Sequence, residues 1–256
     1  MNGRRGLRAI FASLLLWVAL LSPALGQDGP RDAANAKEAA QALKLYLDEV
    51  SKSGRRPDYT KPPASDLLRR VFDLEKLSAL PPPDAGDMPW MLEWGDAANQ
   101  SNKLILLFGS KPGAGGELDQ AAIARNVADY EDQYAAALAF IIRFQARQAP
   151  TMLLFLDRLP PEQRTPVREA GLQKARGGAA EMIAGAVISV APSMKPANAR
   201  AITAALRDTK DVWATFLVPA DRTKVGGVLA RARILAKDDE TQKNLATFAA
   251  ALAAAK

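Results

Sequence analysis

The chain has 256 residues and contains neither cysteine nor histidine. The lack of thiols excludes disulfides, thiolate metal sites, iron–sulfur clusters and cysteine nucleophiles. The lack of imidazole excludes the Ser-His-Asp arrangement, HExxH zinc sites, His-ligated haem and the Glu-x-x-His pairs of di-iron bundles. Any chemistry would run on carboxylates, Lys, Tyr, Ser/Thr or a bound cofactor. Beyond residue 26 no Ser has Lys three residues later, so the Ser-x-x-Lys nucleophile is missing too. Asp238-Asp239-Glu240 lacks the spaced oxygen ligands and turn glycine of a calcium loop. These absences predict a protein without catalysis, metal or cofactor.

A large excess of one charge is also lacking. The chain carries 34 Lys and Arg against 28 Asp and Glu, and Arg4, Arg5 and Arg8 fall in a leader; without them 31 basic residues face 28 acidic ones, a net of +3. So small a surplus, spread along the chain, makes no nucleic-acid footprint. Residues 1–26 read as a secretory signal peptide. Three arginines precede an apolar run over 9–21, and Pro23 leads to the small-x-small ending Ala24-Leu25-Gly26. The run is shorter than the roughly 20 apolar residues of a membrane span, so no transmembrane segment is expected after cleavage before Gln27. Arg4-Arg5-Gly6-Leu7 resembles the twin-arginine export signal, whereas the very apolar residues 14–18 suit the general secretory route. Either route predicts a periplasmic or secreted product.

The remainder reads as an all-α, multi-helix bundle with a Pro-rich amino-terminal arm. The arm covers 27–89, with linkers at 55–63 and at Pro81-Pro82-Pro83; the bundle covers 90–256. Residues 118–147, the longest run without Pro or Gly, place Ile123, Val127, Tyr130, Tyr134, Ala137, Ile141 and Phe144 on one helical arc. A second arc, Ala124, Ala128, Ala135, Ala139 and Ile142, is small and apolar, and Pro150 is expected to end the element. A helix apolar over most of its girth belongs inside a bundle, so it is read as the central strut. Residues 103–108 fit a strand or the end of a helix starting near Trp90; the absence of a strand partner elsewhere favours helix. The glycines of 109–116 precede a helix as a phosphate loop does, but no Lys-Ser/Thr follows the last glycine, and a plain connector is the expectation.

Helices are also expected over 32–51, 66–77 with Ser65 as N-cap, from Pro166 through a stripe of Val167, Gly171, Ala175, Gly178 and Met182, then over 197–218, over 221–236 with Leu235 inward, and from Asp238 onward. Three sets of residues could bind something. Asn126, Tyr130, Gln133 and Tyr134 share a helical arc where buried polar groups need partners. Arg143 and Arg147, one turn apart without an acid nearby in sequence, could hold an anion. Trp90 and Trp94 form a dense apolar patch that is either a binding surface or the arm's anchor. The functional expectation is an exported non-catalytic protein that binds an unknown protein or envelope component. The alternative is a carrier of a small apolar or anionic ligand held between helices.

Overall fold

The structure is a computed structural model that describes residues 31–110, 118–190 and 193–255. Among the described residues eleven α-helices follow one another: α1 Arg31–Lys52, α2 Ala64–Val71, α3 Leu74–Ala79, α4 Met88–Leu107, α5 Gln120–Asp129, α6 Glu131–Asp157, α7 Pro166–Ser189, α8 Pro196–Asp208, α9 Lys210–Phe216, α10 Pro219–Leu235 and α11 Asp239–Ala254. No strand occurs among the described residues, and the chain is an all-α multi-helix bundle. The segment read as a leader and most of the glycine-rich stretch lie outside the described residues. Among the described residues no helix is long and apolar enough to cross a membrane.

The centre of the molecule is α6, whose apolar residues serve two interiors. Phe140, Ile141 and Phe144 join Leu43, Leu47, Val71, Trp94 and Ile105 of α1, α2 and α4. Leu138, Ala139, Ile142, Ala146 and Ala149 join α7 to α11 through Ile183, Ile202, Leu206, Trp213, Leu229 and Phe248. From Ala137 to Ala149 every residue except Arg143 and Arg147 is buried. The strut expected from periodicity is therefore present. Residues 103–108 lie at and just past the carboxyl end of α4, helical through Leu107 as expected. The Pro81-Pro82-Pro83 turn joins α3 to α4, two elements of one interior.

Five local expectations are corrected. Residues 118–147 are not one helix: Tyr130 leaves the helical region at φ −120°, ψ 34°, and ends α5 while it starts α6. As a consequence Ala124 and Ala128 stay exposed. Pro150 does not terminate α6 but lies inside it. A proline there removes one N–H and usually costs about 3 kcal/mol, an amount offset where burial of Ala149 and Thr151 holds the flanking turns. The helix expected over 66–77 breaks at Phe72–Asp73, where Asp73 caps α3 by accepting from the Lys76 N–H (3.0 Å), and Ser65 lies inside α2 rather than capping it. The helix expected over 197–218 bends at Thr209, whose hydroxyl donates to Ala205 O (2.7 Å) and accepts from Trp213 Nε1 (2.9 Å). Val167 and Leu235, both read as inward, are 68% and 55% exposed.

Aromatic packing sets the α4–α6 distance. Trp94 is fully buried and lies 5.8 Å and 5.5 Å, ring centre to ring centre, from Phe140 and Phe144. Gly95 is what lets the helices approach: a Cβ there would sit 2.9 Å from the ring of Phe144, which is buried against Trp94 and Phe140. Gly95→Ala is expected to destabilise the fold by about 1–3 kcal/mol in urea or thermal unfolding. Gly226→Ala, in α10 where an added Cβ meets nothing, should be neutral or stabilising by about 0.5–1 kcal/mol. Equal effects at the two positions would contradict this account of the interface.

Candidate functional site

The residues singled out from the sequence are dispersed by the fold. Asn126 is 3% exposed and spends its amide on structure: Nδ2 donates to the carbonyls of Leu106 (2.9 Å) and Phe108 (2.8 Å), the orphan acceptors at the end of α4. Its Oδ1 accepts from Arg56 Nη2 (2.9 Å). The same guanidinium donates through Nε to the Tyr130 hydroxyl (3.1 Å) and pairs through Nη1 with Asp129 (2.8 Å). The Tyr130 ring meets Tyr59 edge-on at 4.8 Å. Arg56 thus locks the linker after α1 onto the α5–α6 break. Its partner set, three residues of one bent segment, is what fixes the bend at Tyr130.

Tyr134 points the other way. Its hydroxyl lies 2.8 Å from Ser189 Oγ, and that hydroxyl donates to Gly185 O (2.9 Å), so Tyr134 is the donor of the pair. Burial pushes its phenol up. Tyr130 belongs to the interior of α1 to α4 and Tyr134 to that of α7 to α11, so the two rings do not converge on one pocket. Gln133, between them, is half-buried.

Arg143 and Arg147 have acids supplied by other elements, contrary to the reading from sequence neighbours. Arg143 Nη2 pairs with Asp208 of α8 (3.0 Å). Arg147 reaches Asp87 (3.9 Å) and donates to Pro81 O, tying the Pro-rich turn to α6. Burial holds the Arg147 guanidinium below its ordinary range, with Asp87 acting against that. Trp90 and Trp94 are both interior, donating to Asp87 Oδ1 (3.3 Å) and to Val71 O (2.8 Å). The tryptophan patch is an anchor of the arm, one of the two roles the sequence allowed.

What the molecule does present is a basic and apolar end on α10. Val225, Leu229 and Ala232 turn inward, while on the other side Ile234 is 83% exposed and Leu235 55%, the former the most exposed large hydrophobic among the described residues. Arg231, Arg233 and Lys237 surround them, all exposed, and none has a carboxylate within ion-pair distance among the described residues. Beyond them the acids at the start of α11 are partly occupied: Asp238 caps the helix through the Thr241 N–H (3.1 Å), and Glu240 lies 3.9 Å from Arg200. Helix α7 packs against α10, with Lys224 3.6 Å from Glu181. The sequence signal for this patch was available: Ile234 and Arg231 are one turn apart, opposite the inward stripe.

No group of three or more metal-ligating side chains occurs among the described residues. No protein-family model, curated protein or solved structure matches the chain.

The charged edge of α6 has a measurable signature. Asp132 accepts from Lys195 Nζ (2.8 and 2.9 Å) and from Asn198 Nδ2 (2.7 Å), and those bonds hold its carboxyl below the usual range. A depressed carboxylate contributes stability that is present above its unfolded value of about 3.9 and is lost as pH falls through the lower folded value. Titration of the Asp132 carboxyl carbon by NMR should therefore give a midpoint below that of a model aspartate. Lys195→Met should move it upward; an unmoved midpoint would remove Lys195 as the cause.

Proposed function

We propose that the chain is an exported, non-catalytic helical protein that docks on the anionic lipid surface of the cell envelope through the end of α10. The observation that carries the reading is Ile234 and Leu235 standing in water among three cations that have no acidic partner. Apolar side chains flanked by Lys and Arg match an interface in which acyl chains lie beneath negative headgroups. The basic leader and apolar run at 1–26 support an exported protein that meets such a surface. Each Lys or Arg near an anionic leaflet contributes about 1 kcal/mol, an attraction that salt screens within about 8–10 Å. The chain's small net charge makes a local cluster, rather than overall charge, the feature that would steer binding.

Co-sedimentation with vesicles tests it. The protein should bind phosphatidylglycerol-containing vesicles, weakly or not at all bind phosphatidylcholine vesicles, and release as salt rises. Replacing Arg231, Arg233 and Lys237 together by Gln should weaken partitioning by about a hundredfold. Ile234→Ser with Leu235→Ser should also weaken it without changing the melting temperature, since neither side chain is interior. Equal sedimentation with both lipids, or none with either, would sink the proposal.

A further inference from the structure

The carboxyl end of α6 and the start of α7 form a hairpin that the two interiors leave unused. After Thr151 no residue of α6 is buried, although Met152, Leu153, Leu154, Phe155 and Leu156 are all large and apolar. Met152 and Leu153 rest against the interior of α7 to α11, whereas Phe155, Leu156 and Leu159 belong to neither interior. The Leu159 N–H donates to Leu156 O (3.2 Å), which carries the turn past the end of the helix. Leu159 therefore shares a face with Phe155 and Leu156, four and three residues before it. From Asp157 to Ala170 every residue except Leu159 and Arg168 is exposed, Val167 to 68%. Large apolar side chains grouped outside every interior mark a surface that another molecule covers.

The hairpin is ordered in its exposed position. Arg158 clasps Asp84 with two bonds (3.2 and 2.8 Å), and Arg164 reaches back to the end of α6, donating to Asp157 O (2.6 Å) and Leu159 O (3.1 Å). Those bonds bring the charged loop and the apolar helix end into one surface. Pro160, Pro161 and Pro166 fix φ along the loop, so little entropy is lost when the surface is covered. Its charges indicate the partner. Asp157, Glu162 and Glu169 stand beside Arg164, Arg168 and Lys174, and none of the six is in an ion pair among the described residues. An anionic leaflet would be repelled by as many groups as it attracts, unlike at the end of α10. A partner with both signs in reverse order satisfies them, and this chain is one. Asp157 and Glu162 lead, the three bases follow with Glu169 as the exception, and a two-fold axis sets the leading half of one copy against the trailing half of the other.

We infer that the hairpin over 152–174 is the shared face of a weak, two-fold dimer of this chain. Phe155, Leu156, Leu159 and Val167 of the two copies cover one another, and Asp157 and Glu162 of each face Arg164, Arg168 and Lys174 of its partner. A face of this size buries less than the roughly 1,200 Å² of a stable complex, so the dissociation constant is on the order of 100 µM. The surface lies apart from the end of α10 and does not rest on the lipid reading.

Sedimentation velocity on the purified protein tests the assignment. The mass should approach that of a dimer at about 500 µM and that of the monomer at about 5 µM. Leu159→Ser with Val167→Ser should stay monomeric at both concentrations and keep its melting temperature, since neither residue belongs to an interior. Ile234→Ser with Leu235→Ser should associate as the unaltered chain does. One copy with Asp157→Arg and Glu162→Arg, and another with Arg168→Glu and Lys174→Glu, should each be monomeric alone, while their mixture should pair about tenfold more tightly than the unaltered chain. A monomer at both concentrations, undiminished association in Leu159→Ser with Val167→Ser, or a mixture that does not pair would overturn the inference. So would loss of vesicle binding in that serine variant with no change in its mass, which would give the face to lipid. Should the charge variants fail to fold, the two serine variants still decide.

Discussion

A helix with apolar side chains around most of its circumference cannot face water on any broad side, and α6 is such a helix. Phe140 and Phe144 on one side and Leu138 and Ile142 on the other are each essentially dry. Full burial of a side chain of this size contributes about 1.5–3 kcal/mol, so stripping either side would remove a large part of the net stability of a domain. That is why α1, α2 and α4 must cover one side while α7 to α11 cover the other. The two interiors share a wall and cannot be formed independently: a helix bundle lacking either half would expose the other half's surface of α6.

The same constraint decides what the polar residues of the strut do. With two faces taken, only a narrow edge remains for Asp132, Arg143 and Arg147, and neighbouring elements crowd that edge. Each charge therefore meets a partner from elsewhere in the chain: Asp132 with Lys195, Arg143 with Asp208, Arg147 with Asp87. These pairs are partly exposed, and such pairs contribute at most about 1 kcal/mol each. Their effect is on alignment. Lys195 and Asp208 stand near the two ends of α8, so pairing them with Asp132 and Arg143 fixes α8 parallel to α6 and sets its register, a choice that non-directional apolar packing leaves open.

The sequence made the helical class and most inward faces legible because period and burial agree there. Ala36, Ala39, Leu43 and Leu47 on α1, and Leu245, Phe248 and Leu252 on α11, are buried as their spacing requires. It concealed the breaks. Nothing in the Arg125 to Tyr134 stretch resembles a terminator, because the bend at Tyr130 is imposed from outside by Arg56, more than 70 residues earlier. Pro150, the strongest local stop signal, is overridden by burial on both sides. Arg143 and Arg147 looked unpaired for the same reason: their acids are distant in sequence. The site residues suffered most, since Asn126 and Tyr130 are polar in a buried arc to make long-range structural bonds, and a pattern of polarity alone does not distinguish a cap from a ligand contact.

Departures from local rules that the fold does not require are a better guide to function than polarity itself. In α10, Val225, Leu229 and Ala232 already supply the inward stripe, so Ile234 on the opposite side adds nothing to the interior and costs solubility. Asn102 is the reverse case. It occupies a position on the face that Met91 and Trp94 use for packing, where an aliphatic residue would stabilise α4 against α6 without any partner. By contrast, Asn126 is polar and buried yet has every amide atom bonded to protein, and the fold explains it completely. The difference between Asn126 and Asn102 is a difference in hydrogen-bond satisfaction among the described residues, and only the first is explained by the bonds that hold the structure together.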